Sequence, residues 1–316
     1  MVYCLDVRSN RGLVVGVFSK HRKLAYPIYR SARRKLISNP DLLTNLEQVI
    51  TDEVSAILSA NAEKMKFDYD SASIMYPFWQ NYPPEERGRA PIGDQFPWIE
   101  VGEHAVGIRF SREIANRFEV DDLGFPTGAD QRFLLKSPVI EEVTQGFTDS
   151  LWLLADIKSV GPRDDQDHTV MSHNQVSGSG EWNSPNEGVV NAPMVATGMR
   201  AAHDFYPAIP PLIVTQELKP APVITMAIKP VYSMEPSFSS AFTWGGQPLV
   251  RLDTVTIPNG LLLTQNPNLL STNPGLLFPG KDYKGKDPRK LRARVNFTIL
   301  NGIDPWRHQT VADWKH

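Results

Sequence analysis

An α/β fold is the class this sequence predicts, on three observations. Apolar residues recur at helical spacing after residue 39, an unbroken apolar run spans Ser150 to Ile157, and strand-like segments set off by proline and glycine follow it. Taken in order, Asn39-Pro40 is a helix start. Leu42, Leu46, Val49, Ile50, Val54, Ile57 and Leu58 then mark one face of an amphipathic helix of about six turns. Pro77, Pro83, Pro84, Pro91 and Pro97 deny regular structure to the next stretch, which reads as a long loop or connection. Glu100 to Phe118 reads as another helix. Ser150 to Ile157 suits a central strand of a sheet covered on both faces. Gly161 to Gly188 is polar and glycine-bearing and reads as loops, while Pro222 to Tyr232, Pro248 to Ile257 and Leu291 to Leu300 read as strands.

The composition excludes several classes. With 33 Lys+Arg against 35 Asp+Glu the formal charge is -2, which excludes a histone-like or tail-driven polyanion binder. At 41% hydrophobic and 22% charged residues, disorder is excluded as the main state of the 316-residue chain. The single cysteine, Cys4, supports neither an intrachain disulfide nor a thiolate zinc cluster, so a reducing, cytoplasmic setting is expected. Leu13 to Phe18 is broken by Gly16 and too short for a signal or a membrane span, and no membrane partner is expected. No repeat and no dividing linker is visible.

Two basic windows hide in the balanced total. Lys20, Arg22, Lys23, Arg30, Arg33, Arg34 and Lys35 form one, and Lys281, Lys284, Lys286, Arg289, Lys290, Arg292 and Arg294 the other. Each is a solvated face unless the chemistry points to a polyanion.

Side chains alternate along a strand, so Asp156 and Lys158 leave the central strand on one face. Asp130 follows the turn-forming Thr127-Gly128-Ala129, and brought beside Asp156 it makes a hard-oxygen site suited to Mg²⁺. Such a set fits phosphodiester hydrolysis, the metal polarising a phosphoryl oxygen and the lysine stabilising developing charge. The acidic-x-Lys pattern also occurs at Glu217, Asp282 and Asp313, and the alternative for Asp156 and Lys158 is a plain strand-end ion pair. Asp164 to His168 is not an EF-hand, because the sixth and twelfth positions counted from Asp165 are Val170 and Val176. Nucleotide-binding, serine-hydrolase and zinc-peptidase motifs are missing, and Cys4 lacks the adjacent proline of a cytosine-methylating nucleophile. In Leu291 to Leu300 the alternation puts Arg292, Arg294, Asn296 and Thr298 on one face. Two arginines so placed suit bidentate contact with guanine, or else a charge-protected edge strand.

Longer stretches carry a resemblance. They include Asn81-Tyr82-Pro83-Pro84, Gly93-Asp94-Gln95, Pro97-Trp98-Ile99-Glu100-Val101-Gly102-Glu103, Gly124-Phe125-Pro126-Thr127-Gly128 and Gly146-Phe147-Thr148-Asp149-Ser150. The series continues with Asp156-Ile157-Lys158-Ser159-Val160-Gly161-Pro162-Arg163-Asp164, Asn174-Gln175-Val176-Ser177-Gly178, Lys229-Pro230-Val231-Tyr232, Pro258-Asn259-Gly260-Leu261 and Pro279-Gly280-Lys281-Asp282. From about Lys20 onward the chain thus resembles the BglI-like type II restriction endonucleases of the PD-(D/E)xK nuclease superfamily. The resemblance implies a PD-(D/E)xK core, a mixed β-sheet flanked by helices with added strands that read DNA. It implies one domain over 20–316, with 1–19 an extension of unknown role. It makes Asp130, Asp156, Lys158 and Glu103 the catalytic set and Asp130, Asp156 and Ile157 the contacts of a Mg²⁺ ion. Asp164, Lys281, Asp282, Tyr283, Arg292 and Arg294 fall at base-contacting positions, Tyr283 standing where the family carries an aspartate. The activity implied is Mg²⁺-dependent cleavage of double-stranded DNA at an interrupted palindrome, leaving 5′-phosphate and 3′-hydroxyl ends. A homodimer and a cognate DNA methyltransferase are the implied partners. The alternative is a DNA-binding protein on the same fold whose catalytic site is unused.

Overall fold

The computed structural model describes residues 17–74, 101–122, 124, 127–162, 166–198, 202–233, 235–236, 244–280, 287, 289 and 291–315. The proline-rich stretch 77–97, Asp164, Lys281, Asp282 and Tyr283 lie outside these residues. Among the described residues no helix is long and apolar enough to cross a membrane.

The chain begins with helix α1 (Val17–Ser38) and helix α2 (Asp41–Ile74). Helix α1 carries the first basic window. It also contains the position after residue 19 where a domain boundary was expected, so that boundary does not coincide with the end of an element. The start of α2 is as expected, but the helix is 34 residues long, about nine turns rather than six. Its buried stripe continues past Leu58 through Ala62, Met65, Tyr69 and Ser73, keeping the three-to-four spacing with smaller or more polar residues. The expected helix near Glu100 to Phe118 is present from Val101 as a π-helical turn (Glu103–Gly107) followed by α3 (Ile108–Arg117).

Strands β1 (Glu119–Asp122), β2 (Gln131–Lys136), β3 (Ser150–Ile157), β4 (His168–Met171), β5 (Met194–Thr197), β6 (Ala202–Phe205) and β7 (Leu212–Val214) follow. Then come β8 (Pro220–Tyr232), β9 (Glu235–Pro236), β10 (Trp244–Gly246), β11 (Leu249–Ile257), β12 (Leu277–Pro279), β13 (Ala293–Asn296) and β14 (His308–Asp313). The main sheet runs β1-β2-β3-β8-β11-β14, with β7 also paired to β8. It is mixed, because β3 and β8 run parallel and the neighbouring pairs antiparallel.

Every residue of β3 is buried, as its unbroken apolar run requires of a strand covered on both sides. On one face Leu151, Leu153, Ala155 and Ile157 pack with Ile50, Val54 and Leu58 of α2 and with Phe110 and Ile114 of α3. On the other, Trp152 and Leu154 pack with Ala129, Leu134 and Val223. Asp156 and Lys158 emerge on that second face.

A three-stranded antiparallel sheet, β12-β13-β4, carries the second group of sequence-predicted elements. Two expectations change here. Gly161 to Gly188 is not all loop, since it contains β4. Leu291 to Leu300 is not one strand either: β13 ends at Asn296, and Phe297–Ile303 is a helix. The Asn296 side chain accepts from the Ile299 amide at 3.1 Å, an N-cap that diverts the chain from extended to helical backbone. Because β13 is the middle strand, the edge-strand alternative for Arg294 falls away, while Arg292 lies just before the strand.

Candidate active site

The predicted carboxylates and lysine converge at the end of β3. Lys158 Nζ forms an ion pair with Asp156 Oδ2, the aspartate side chain being 3% exposed and the lysine side chain 27%. The predicted common face for these two residues is therefore correct. Asp130 reaches the same place from the residue before β2, its Oδ2 accepting from the Ile157 amide at 2.6 Å. The last register pair of β2 with β3 is Gln131 with Ala155, so the Asp130 carboxylate takes over where the ladder stops. The next amide, Lys158 N, turns the other way and donates to Ile228 O at 2.8 Å. Carbonyl and amide of one strand residue point to one side, so the Ile157 carbonyl faces the Asp130 side.

The turn before Asp130 is fixed by its own residues. Ala129 N donates to Thr127 Oγ1 at 3.2 Å, and Gly128 N to Asn174 O at 2.9 Å. A Cβ on Gly128 would overlap the Asn174 side chain, which is why glycine stands there.

Burial pushes the Asp156 carboxyl up to about 6; Lys158 opposes the shift and the neighbouring Asp130 charge adds to it. Asp130 is also raised, first by burial, with the Ile157 amide, Lys158 and Arg132 opposing. Two adjacent desolvated carboxylates are short of positive charge, and the donor set is hard oxygen. Among the described residues no group of three or more His, Cys, Asp or Glu is placed to hold a metal. A pair suits an ion that keeps much of its water shell, as Mg²⁺ does with one or two carboxylates.

Glu103 stands, partly exposed, on the π-turn packed against this strand end. A Cβ on Gly102 would overlap the Ser159 hydroxyl, and one on Gly107 would touch Ile157. The π-turn thus approaches the residues on either side of Lys158.

Gln175 is the residue that sequence reasoning did not assign. It is buried, and its Nε2 donates to Asp156 Oδ1 at 2.5 Å and to Gly128 O at 2.9 Å, while its Oε1 accepts from Ser172 N at 2.8 Å. One amide thereby fixes the Asp156 rotamer and the turn before Asp130. Its signal was its place in the matching stretch Asn174 to Gly178.

The base-reading candidates within the described residues are Arg292, exposed, and Arg294, half-buried on β13 opposite Val170. A Cβ on Gly280 would fall on the Arg294 guanidinium. Of the first basic window, Lys20, Arg22, Lys23, Arg30, Arg34 and Lys35 are exposed. Arg33 is committed elsewhere, its Nε bonding Ser179 O at 2.9 Å and its Nη2 pairing with Glu181.

The chain as a whole is similar to known proteins. The sequence profile of the restriction endonuclease BglI family matches residues 24–311. The chain is 40% identical over 293 residues to the type II restriction enzyme BglI of Bacillus subtilis, covering 92% of this chain and 97% of that one. The crystal structure of the restriction endonuclease BglI bound to its DNA recognition sequence superposes with a TM-score of 0.85 at 40% identity, over 94% of this chain and 99% of the other. The tetrameric restriction endonuclease SfiI, bound to cognate DNA, shares the fold at a TM-score of 0.56 and 14% identity, over 85% and 84% of the two chains.

Proposed function

The chain belongs to the restriction endonuclease BglI family of type II site-specific nucleases, and from that premise we propose which of its residues cut DNA and which read it. The observation that carries the reading is the convergence of Asp130, Asp156 and Lys158 at one strand end, beside the π-turn bearing Glu103. Asp130, Asp156 and the Ile157 carbonyl hold Mg²⁺. When bound, that ion polarises a phosphoryl oxygen and acidifies water.

The protein groups do the rest. Lys158 keeps a proton at Nζ, beside the position where negative charge grows on the phosphate, and orients the attacking water. Asp156 anchors that ammonium, and Gln175 fixes Asp156. Glu103 contributes a further carboxylate from the π-turn. Water adds to phosphorus as the bond to the 3′ oxygen breaks. The water proton leaves and the 3′ oxygen gains one, giving 5′-phosphate and 3′-hydroxyl ends.

Arg292 and Arg294 read guanines, with Asp164, Lys281, Asp282 and Tyr283 beside them in the contact set, at an interrupted palindrome. One chain offers one such site, so cutting both strands takes a twofold homodimer, each subunit on a half-site. Residues 20–316 act as one domain, and a cognate DNA methyltransferase protects the host.

The test is cleavage against binding. Lys158→Ala and Asp156→Asn are expected to abolish cleavage of a plasmid with Mg²⁺, while specific binding with Ca²⁺ stays within about tenfold of the unchanged protein. Equal loss of both would reduce the pair to a structural ion bridge. Specific binding without cleavage by the unchanged protein would mean an unused catalytic site.

A further inference from the structure

We propose that Lys229 is a positioning residue that couples base reading to cleavage, by latching β4 to the catalytic sheet. The inference rests on the catalytic and base-reading roles proposed above. Lys229 is fully buried on β8, and its Nζ donates to Gln166 O and His168 O, both at 2.9 Å, while lying 4.8 Å from the centre of the Phe297 ring. In the parallel register Asp156 pairs with Ala227 and Ile157 with Ile228, so Lys229 stands one step beyond, beside Lys158.

Burying an ammonium is costly, and an apolar side chain of the same length fills such a space without that cost. The charge therefore has a task, and two of its contacts say which. The His168 carbonyl opens β4 and the Gln166 carbonyl lies two residues before it; β4 is the strand on which β13 is built, with Arg294 opposite Val170 and Asn296 opposite His168. Just past its other end, the Ser172 amide holds Gln175, and Gln175 holds Asp156. One four-residue strand is thus tied to the strand that carries Arg294, to β8 through Lys229, and to the catalytic carboxylate through Gln175. A shift of Arg294 on meeting the correct base moves β4, and Lys229 converts that shift into placement of the cleavage site instead of letting β4 slide.

The experiment compares the unchanged protein with Lys229→Met and Lys229→Gln. Single-turnover cleavage is measured on the recognition site and on sites with one base pair changed, and binding is measured with Ca²⁺. Lys229→Met is expected to slow cleavage of the correct site by about tenfold or more, with affinity changed less than about threefold. The ratio of correct to altered site falls in step, because cleavage drops to the uncoupled level that altered sites already show. Lys229→Gln, which keeps a donor, falls between. A loss in equal proportion at every site, or an unchanged ratio, overturns the proposal. If Lys229→Met does not fold, Phe297→Leu, which withdraws the ring from Nζ, is measured by the same ratio and the same criteria apply. Absence of cleavage by the unchanged protein overturns the underlying reading instead.

Discussion

Two buried aspartates carry opposite thermodynamic signs. Asp156 is raised to about 6, so its charged form is disfavoured by folding, and stability falls as pH rises from the unfolded value of about 4 through 6. Asp156→Asn is therefore expected to stabilise the metal-free protein at about pH 8, by an amount on the order of 1–3 kcal/mol, with no gain below about pH 4. Asp253 is the reverse case. Burial raises its carboxyl, but the His308 ring 3.9 Å away, the Arg251 guanidinium 3.0 Å away and the Thr310 hydroxyl outweigh that and hold it below the usual range. Its stabilisation is present at neutral pH and is lost as pH falls through the folded value, so Asp253→Asn should weaken the protein at pH 7 and be neutral in acid. Urea unfolding of both variants across pH checks the pair, and a shared sign would refute it. Among the described residues, folding disfavours the charged forms of Asp130 and Asp156, the cost expected of two desolvated carboxylates side by side.

At the scale of elements, what the sequence made legible follows from burial on two faces. β3 was readable to the residue because a strand covered on both sides cannot admit polar side chains before its end, so Asp156 and Lys158 announce where it leaves the core. Helix α2 was cut short because Asn61 and Ser73 interrupt its apolar stripe, although tertiary packing still buries them. Leu291 to Leu300 misled because alternation runs correctly to Phe297, and only the Asn296 cap marks the change of period. Gln175 carried no motif, since its role exists only once β4 is laid against the main sheet. The same layering gives a prediction for β12 and β13. Gly280→Ala forces its methyl into the Arg294 guanidinium, and cleavage of the recognition site should fall by about tenfold, from 1–3 kcal/mol per bidentate contact. A substrate panel should show relaxed choice at one base pair only, and unchanged choice everywhere would separate Arg294 from base reading.

The whole molecule adds assembly and closure. In the proposed homodimer, pairing an unchanged chain with a Lys158→Ala chain is expected to nick supercoiled DNA, whereas a subunit acting alone on both strands would still give linear product. Closure rests on a buried pair: Arg307 Nη1 bonds Glu47 Oε2 at 2.8 Å and Arg307 Nε bonds Asp304 Oδ2 at 2.8 Å, while Asn259 N donates to Glu47 Oε1 at 2.7 Å. Arg307→Met leaves the Glu47 charge buried without that counterion, a loss of about 3–5 kcal/mol that thermal unfolding should register.

The consequence of that pair is one of timing. Domains fold as units while the chain is still being made, and Asp130, Asp156 and Lys158 leave the ribosome long before Arg307 does. Until Arg307 emerges, Glu47 of α2 has no guanidinium to face and β11 has no β14 along its flank. An interrupted translation product that ends before Arg307 therefore lacks both the counterion of Glu47 and the strand that flanks β11.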